Sequence, residues 1–140
     1  MDKSLCLPVI PFCPNLKRFS TKFRNDESNM LRNILDGCQY LESIKVLCGN
    51  HYLSEKDMLE AVVKYSPKSF HELSIHNCGV SPEPEDLESF FLSWQNRLQK
   101  PLTLIVVDDR NYGLRANERN ITIIEKYESE NTIYKLSYIY

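Results

Sequence analysis

A short three-slot phrase recurs along this chain, and its recurrence limits the fold more than any single residue does. It reads Leu16-x-x-Phe19-x-Thr21, Leu41-x-x-Ile44-x-Val46, Phe70-x-x-Leu73-x-Ile75, Pro101-x-x-Leu104-x-Val106 and Ile133-x-x-Leu136-x-Tyr138. The middle slots, at 19, 44, 73, 104 and 136, are 25, 29, 31 and 32 residues apart. Self-similarity at this period marks an array of small units, each able to bury its apolar face only against its neighbours. Such an array points to surface recognition before catalysis.

The fullest copy, Phe70-His-Glu-Leu73-Ser-Ile75-His-Asn-Cys78-Gly-Val80, fills every defined position of the leucine-rich-repeat template L-x-x-L-x-L-x-x-N/C-x-L, with Phe, Ile and Val as apolar substitutes. The expected fold is therefore α/β: a leucine-rich-repeat solenoid, or horseshoe, with parallel β-strands on the concave face and helices on the convex face. Residues 1–140 make a single domain of about four and a half repeats. The last strand runs to Tyr138-Ile139-Tyr140 without a polar cap. The chain is expected either to expose a sheet edge there or to be a fragment of a longer array.

Helical periodicity fills the intervals. Leu31, Ile34, Leu35 and Cys38 share one face, closed by Gly37. Ser54 is an N-cap with Asp57 three positions on, Met58, Ala61, Val62 and Tyr65 form the apolar face, and Ser66-Pro67 stops the helix. In the third interval Pro84 suits the first turn, Glu83, Glu85 and Asp86 complement the positive helix end, and Leu87, Phe90, Phe91, Trp94 and Leu98 make a stripe. The fourth interval contains the β-branched run Ile121-Thr-Ile-Ile124, but Asn117 as a cap, with Ile121, Ile124 and Tyr127 in phase, predicts a helix.

Composition narrows the function classes. With 140 residues, 42% hydrophobic and 26% charged, the chain suits one globular domain. A net charge of −2 supplies no basic footprint, so nucleic acid is not an expected partner. No apolar run approaches the roughly 18 to 20 residues that span a bilayer, so neither is a membrane. The stretch Leu5 to Phe12 follows Lys3 but is broken by Pro8 and Pro11, with no small-residue cleavage site after it. It reads as an irregular or strand-like lead-in, which implies a cytoplasmic or nuclear protein.

The five cysteines form no C-x-x-C pair and no metal-ligand spacing; Cys13 and Cys38 each precede a repeat by three residues and Cys78 holds a template slot, as small buried hydrophobes do. His51, His71 and His76 lack metal-ligand spacing, and the adjacent Asp108 and Asp109 diverge on a strand, so neither group makes a site. No nucleophile elbow, metalloprotease helix or glycine-rich phosphate loop is present. The chain is expected to be no enzyme, with no catalytic residue, no metal and no cofactor.

The run Cys13-Pro-Asn-Leu16-Lys-Arg-Phe19, echoed as Cys38-Gln-Tyr-Leu41-Glu-Ser-Ile44, resembles the cysteine-containing leucine-rich repeats found behind F-boxes. Together with the lengthened repeats and the phrase from Tyr65 to Ile75, it is similar to the fungal F-box/leucine-rich-repeat-like proteins. That resemblance implies a right-handed horseshoe whose repeats select a protein substrate for a ubiquitin ligase. About fifteen residues precede the first repeat, too few for the helical F-box, so the ligase core is an expected partner only if an F-box is present in a longer parent chain. The alternatives are a stand-alone regulatory scaffold, similar to GTPase-regulator repeat proteins, with no ligase role, and an enzyme whose site no motif in the sequence reveals.

Recognition is expected on the strand residues that alternate with the template slots, because successive strand side chains point to opposite faces. These are Arg18, Ser20 and Lys22; Ser43, Lys45 and Leu47; Glu72, Ser74 and His76; Thr103, Ile105 and Val107; and Lys135, Ser137 and Ile139. Ile105 and Val107 could anchor a protein partner; equally, parallel strands are often apolar on both faces, or a neighbouring loop covers the two residues. Arg18, Lys22 and Lys45 would favour an acidic segment, and an ordinary solvated face accounts for three charges equally well.

Overall fold

Strands and helices alternate strictly through the computed structural model, which describes residues 15–24, 26–48, 52–77, 83–97, 100–108 and 117–139. In order they are β1 (Arg18–Lys22), α1 (Ser28–Gly37), β2 (Ser43–Cys48), α2 (Glu55–Tyr65), β3 (Glu72–Asn77), α3 (Pro84–Asn96), β4 (Leu102–Asp108), α4 (Glu118–Ser129) and β5 (Ile133–Ile139). All neighbouring strands are parallel, and their order in the sheet is their order in the chain. Parallel neighbours require a crossover, supplied each time by a helix. Each helix touches the next, α1 to α2, α2 to α3 and α3 to α4, so the four crossovers form one layer on one side of the sheet.

Alternation along the strands follows from that one-sided layer. Ile44, Val46, Cys48, Leu73, Leu104 and Val106 are all fully buried and Ile75 nearly so, whereas Lys45 between them is exposed. The helices answer with Leu31, Ile34 and Leu35 from α1, Met58, Leu59 and Val62 from α2, Leu87, Phe91 and Trp94 from α3, and Ile124 and Tyr127 from α4. Trp94 meets Phe70 edge-on at 6.2 Å, and Phe91 meets Tyr127 at 5.3 Å, so aromatic rings bridge successive units.

Backbone hydrogen bonds repeat from unit to unit. The Lys17 carbonyl accepts from the N–H groups of Glu42 and Ser43 at 2.7 and 3.1 Å, and the Glu42 carbonyl accepts from His71 and Glu72 at 3.0 and 3.1 Å. The His71 carbonyl accepts from Thr103 at 2.7 Å. Side chains add cross-ties. The Arg97 guanidinium, following α3, donates to the Ser66 carbonyl at 2.8 Å and the Ser66 Oγ at 2.6 Å, while it stacks over Trp94 at 4.8 Å. It thereby satisfies carbonyls left open at the end of α2, and burial holds its pKa below the usual arginine value.

Local signals account for the helix ends. Ser54 Oγ accepts from the Asp57 N–H at 3.2 Å, Pro84 opens α3, and Asn117 Oδ1 accepts from the Arg119 N–H at 2.9 Å. The fourth interval is thus a helix, as the cap and periodicity predict. Cys13, His51, Cys78, Leu98, the N-terminal stretch and the loop after Asp108 lie outside the described residues.

One expectation fails at β5. The template aligns Leu104 with Leu136, but the sheet pairs Leu104 with Lys135, Ile105 with Leu136 and Leu102 with Ile133, a slip of one residue. The turn after α4 explains it. Asn131 adopts the left-handed conformation (φ 60°), and the Asn131 and Thr132 N–H groups donate back to the carbonyls of Glu128 and Tyr127 at 3.1 and 2.9 Å. These are the paired bonds of a Schellman C-cap. The tight turn brings the Thr132 carbonyl to the Leu102 N–H at 3.0 Å and buries Ile133 completely beside Leu102.

Leu73→Ala should lower unfolding free energy by about 2 to 5 kcal/mol through a core cavity, while Lys45→Ala should change it little; denaturant titration followed by Trp94 emission checks this, and equal losses would contradict the register. A second prediction concerns Tyr127, which is buried on α4 with Glu88 nearby. Burial, followed by the negative charges of Glu88 and Glu130, pushes its phenol up to about 12. The folded value exceeds the unfolded one of about 10, so this contribution is fully present below pH about 10 and fades as pH rises toward about 12. Wild type should therefore lose stability more steeply than Tyr127→Phe between those limits, and matching slopes would contradict the assignment.

Candidate functional site

Because the crossovers occupy one side of the sheet, no helix among the described residues covers the other. The register orders this open face into rows that cross the strands. The first row is Arg18, Ser43, Glu72, Thr103 and Tyr134; the second begins Ser20, Lys45, Ser74 and Ile105; the third begins Lys22, Leu47, His76 and Val107. The ten partner-binding candidates from the sequence all fall in these rows.

Their exposures differ, and the differences shape the surface. Arg18, Ser20, Lys22 and Lys45 are exposed, whereas Leu47, Glu72, His76, Thr103 and Ile105 are half-buried. Ser74 is buried although no helix lies over it, because it is a short side chain between Lys45 and Ile105 in the same row. Val107 is only 9% exposed, so Ile105 offers more apolar contact than its neighbour on the strand.

The small serines make the relief. A depression of about 360 Å³ is lined by Ser20, Ser43 and Ser74 together with Arg18, Lys45, Glu72 and Ile105. A second, of about 320 Å³, is lined by Ser20, Lys22, Lys45, Leu47 and His76. Ser20 and Lys45 belong to both, so the two hollows adjoin.

Electrostatics are uneven across the face. Glu72 is engaged from two sides: Ser43 Oγ donates to its Oε2 at 2.6 Å, and Arg18 Nη1 lies 3.8 Å from the same oxygen. The Arg18 side chain is 75% exposed, so this ion pair is solvent-screened and orients Glu72 more than it stabilises the fold. Among the described residues neither Lys22 nor Lys45 has an acidic partner. Two ammonium groups therefore stand over the β1–β2 side of the face without a compensating carboxylate among the described residues.

The chain has no match in the comparisons with known proteins. No protein-family model, no curated protein and no solved structure is similar to it at a significant level. Among the described residues no group of three or more His, Cys, Asp or Glu could hold a metal ion, and no helix is long and apolar enough to cross a membrane.

Tyr134 is the open-face residue that sequence reasoning passes over. The template numbering puts it between slots, one residue out of phase with the neighbouring strand. The observed register sets it beside Thr103, and it is 57% exposed next to the fully buried Ile133. The signal available in the sequence was Asn131, a residue suited to a left-handed helix stop that restarts the strand count.

Proposed function

We propose that this chain is a protein-binding module of leucine-rich-repeat type that holds its partner on the open face of its parallel sheet. The supporting observation is the one-sided burial: a continuous helix layer backs one face, and the opposite face presents rows of mixed charged, hydroxyl and apolar side chains over shallow hollows. Shallow relief with scattered polar groups suits a protein surface, whereas small-molecule sites are mostly enclosed and apolar.

The solenoid reading draws on the sequential strand order and on the equivalent carbonyls of Lys17, Glu42 and His71, each accepting from the unit that follows. Within that reading, selection of a substrate for a ubiquitin ligase is the role implied by the resemblance of the Cys13 to Phe19 and Cys38 to Ile44 phrases. It requires an F-box elsewhere in a longer parent chain; without one, the same face serves a stand-alone scaffold.

Affinity capture from native extract should retain a protein with the wild-type chain and lose it with Ile105→Asp/Lys45→Glu, both variants checked for folding by Trp94 emission. Recovery of ligase subunits with wild type would favour the adaptor role. Identical retention by both chains would remove the open face as the binding site.

A further inference from the structure

Deepening the proposed function and resting on it, we infer that the partner segment is an extended acidic peptide carrying an apolar side chain about 14 Å from its carboxylate, gripped between the lysines of β1–β2 and the apolar side of β4–β5.

Charge complementarity is the first support. Arg18, Lys22 and Lys45 stand on the β1–β2 half of the face, and the one described acid among them, Glu72, is already engaged by Ser43 and Arg18. Lys22 and Lys45 remain as exposed cations without an acidic partner among the described residues. This local excess sits on a chain whose net charge is −2, so the face is basic against the trend of the molecule. A carboxylate placed over Ser20, the small residue between Arg18 and Lys22 on β1, would be within reach of both flanking cations and of Lys45 in its own row.

The opposite half supplies the anchor. Ile105 lies in the same row as Ser20 three strands away, a separation of about 14 Å at the usual strand spacing. Tyr134, 57% exposed, stands one strand beyond in the adjoining row. An exposed tyrosine beside a branched aliphatic is the type of pair that carries binding energy in protein interfaces. Ser74, buried between Lys45 and Ile105, keeps the path between the two halves low, so a peptide crossing the strands can reach both without a large side chain in the way. Three cations and this apolar half fit a peptide better than a nucleic-acid backbone, which needs a longer run of positive charge.

The test is selection from a random peptide display library on the full chain, with single-stranded DNA as a competing probe. Selected peptides should carry Asp or Glu with an aliphatic or aromatic residue about four positions away. Resynthesised, they should bind Lys22→Glu/Lys45→Glu about ten-fold or more weakly and lose affinity in salt; Tyr134→Ser should also weaken them. No selected peptide, selection without acidic enrichment, or unchanged binding to the double variant would overturn the inference. Tighter binding of DNA at the same lysines would overturn it in favour of a phosphate polymer. Neutral or basic peptides released by Ile105→Asp would overturn the acidic preference while leaving the open face as the recognition site, whereas peptides released only by Leu92→Glu on α3 would overturn both.

Discussion

Everything in this molecule depends on burying one face of a five-stranded parallel sheet against a single layer of helices. A strand such as Ser43–Cys48, with Ile44, Val46 and Cys48 on one side, cannot hide those side chains within its own unit. It hides them under α1 and α2, between the equivalent residues of the strands beside it. Stability is thus shared between neighbours, and the cross-ties follow the same logic: Arg97 closes the end of α2 from the end of α3, and Trp94 packs on Phe70 of the preceding unit. A unit removed from the stack would leave apolar surface open on the units it had covered.

The open face is the other consequence of that constraint. Crossovers of a sheet whose strands follow chain order all lie on one side, which frees the alternate residues of every strand from packing duty. Their identities can then serve recognition, and here they grade from Arg18, Lys22 and Lys45 at one side to Ile105 and Tyr134 at the other. The serines between them keep the surface low without creating an enclosed pocket.

Much of this was legible in the residues because the local signals agreed with the packing. The caps at Ser54 and Asn117, the proline opening α3 and the three-slot phrases all act over a few positions, and each element formed where they put it. The in-register alignment of β1 to β4 followed from the same phrases, since Phe19, Ile44, Leu73 and Leu104 stand side by side. What the phrase could not reveal was the β5 slip. Ile133, Tyr134, Leu136 and Tyr138 are all apolar enough for either face, so the pattern carries no phase there. The Schellman turn at Asn131 decides it by delivering Ile133 to Leu102. Likewise, the low exposure of Val107 does not follow from its position in the alternation.

Site-specific photo-crosslinking measures the claim about the open face most directly. A photoreactive residue would replace Lys45 at the centre of that face or Leu92, which is 48% exposed on α3, and each chain would be irradiated in native extract. A partner adduct from position 45 and none from position 92 is the result expected if the sheet face holds the partner. Adducts from position 92 with none from 45 would mean that the helix layer is the recognition surface and that the open face is solvated only.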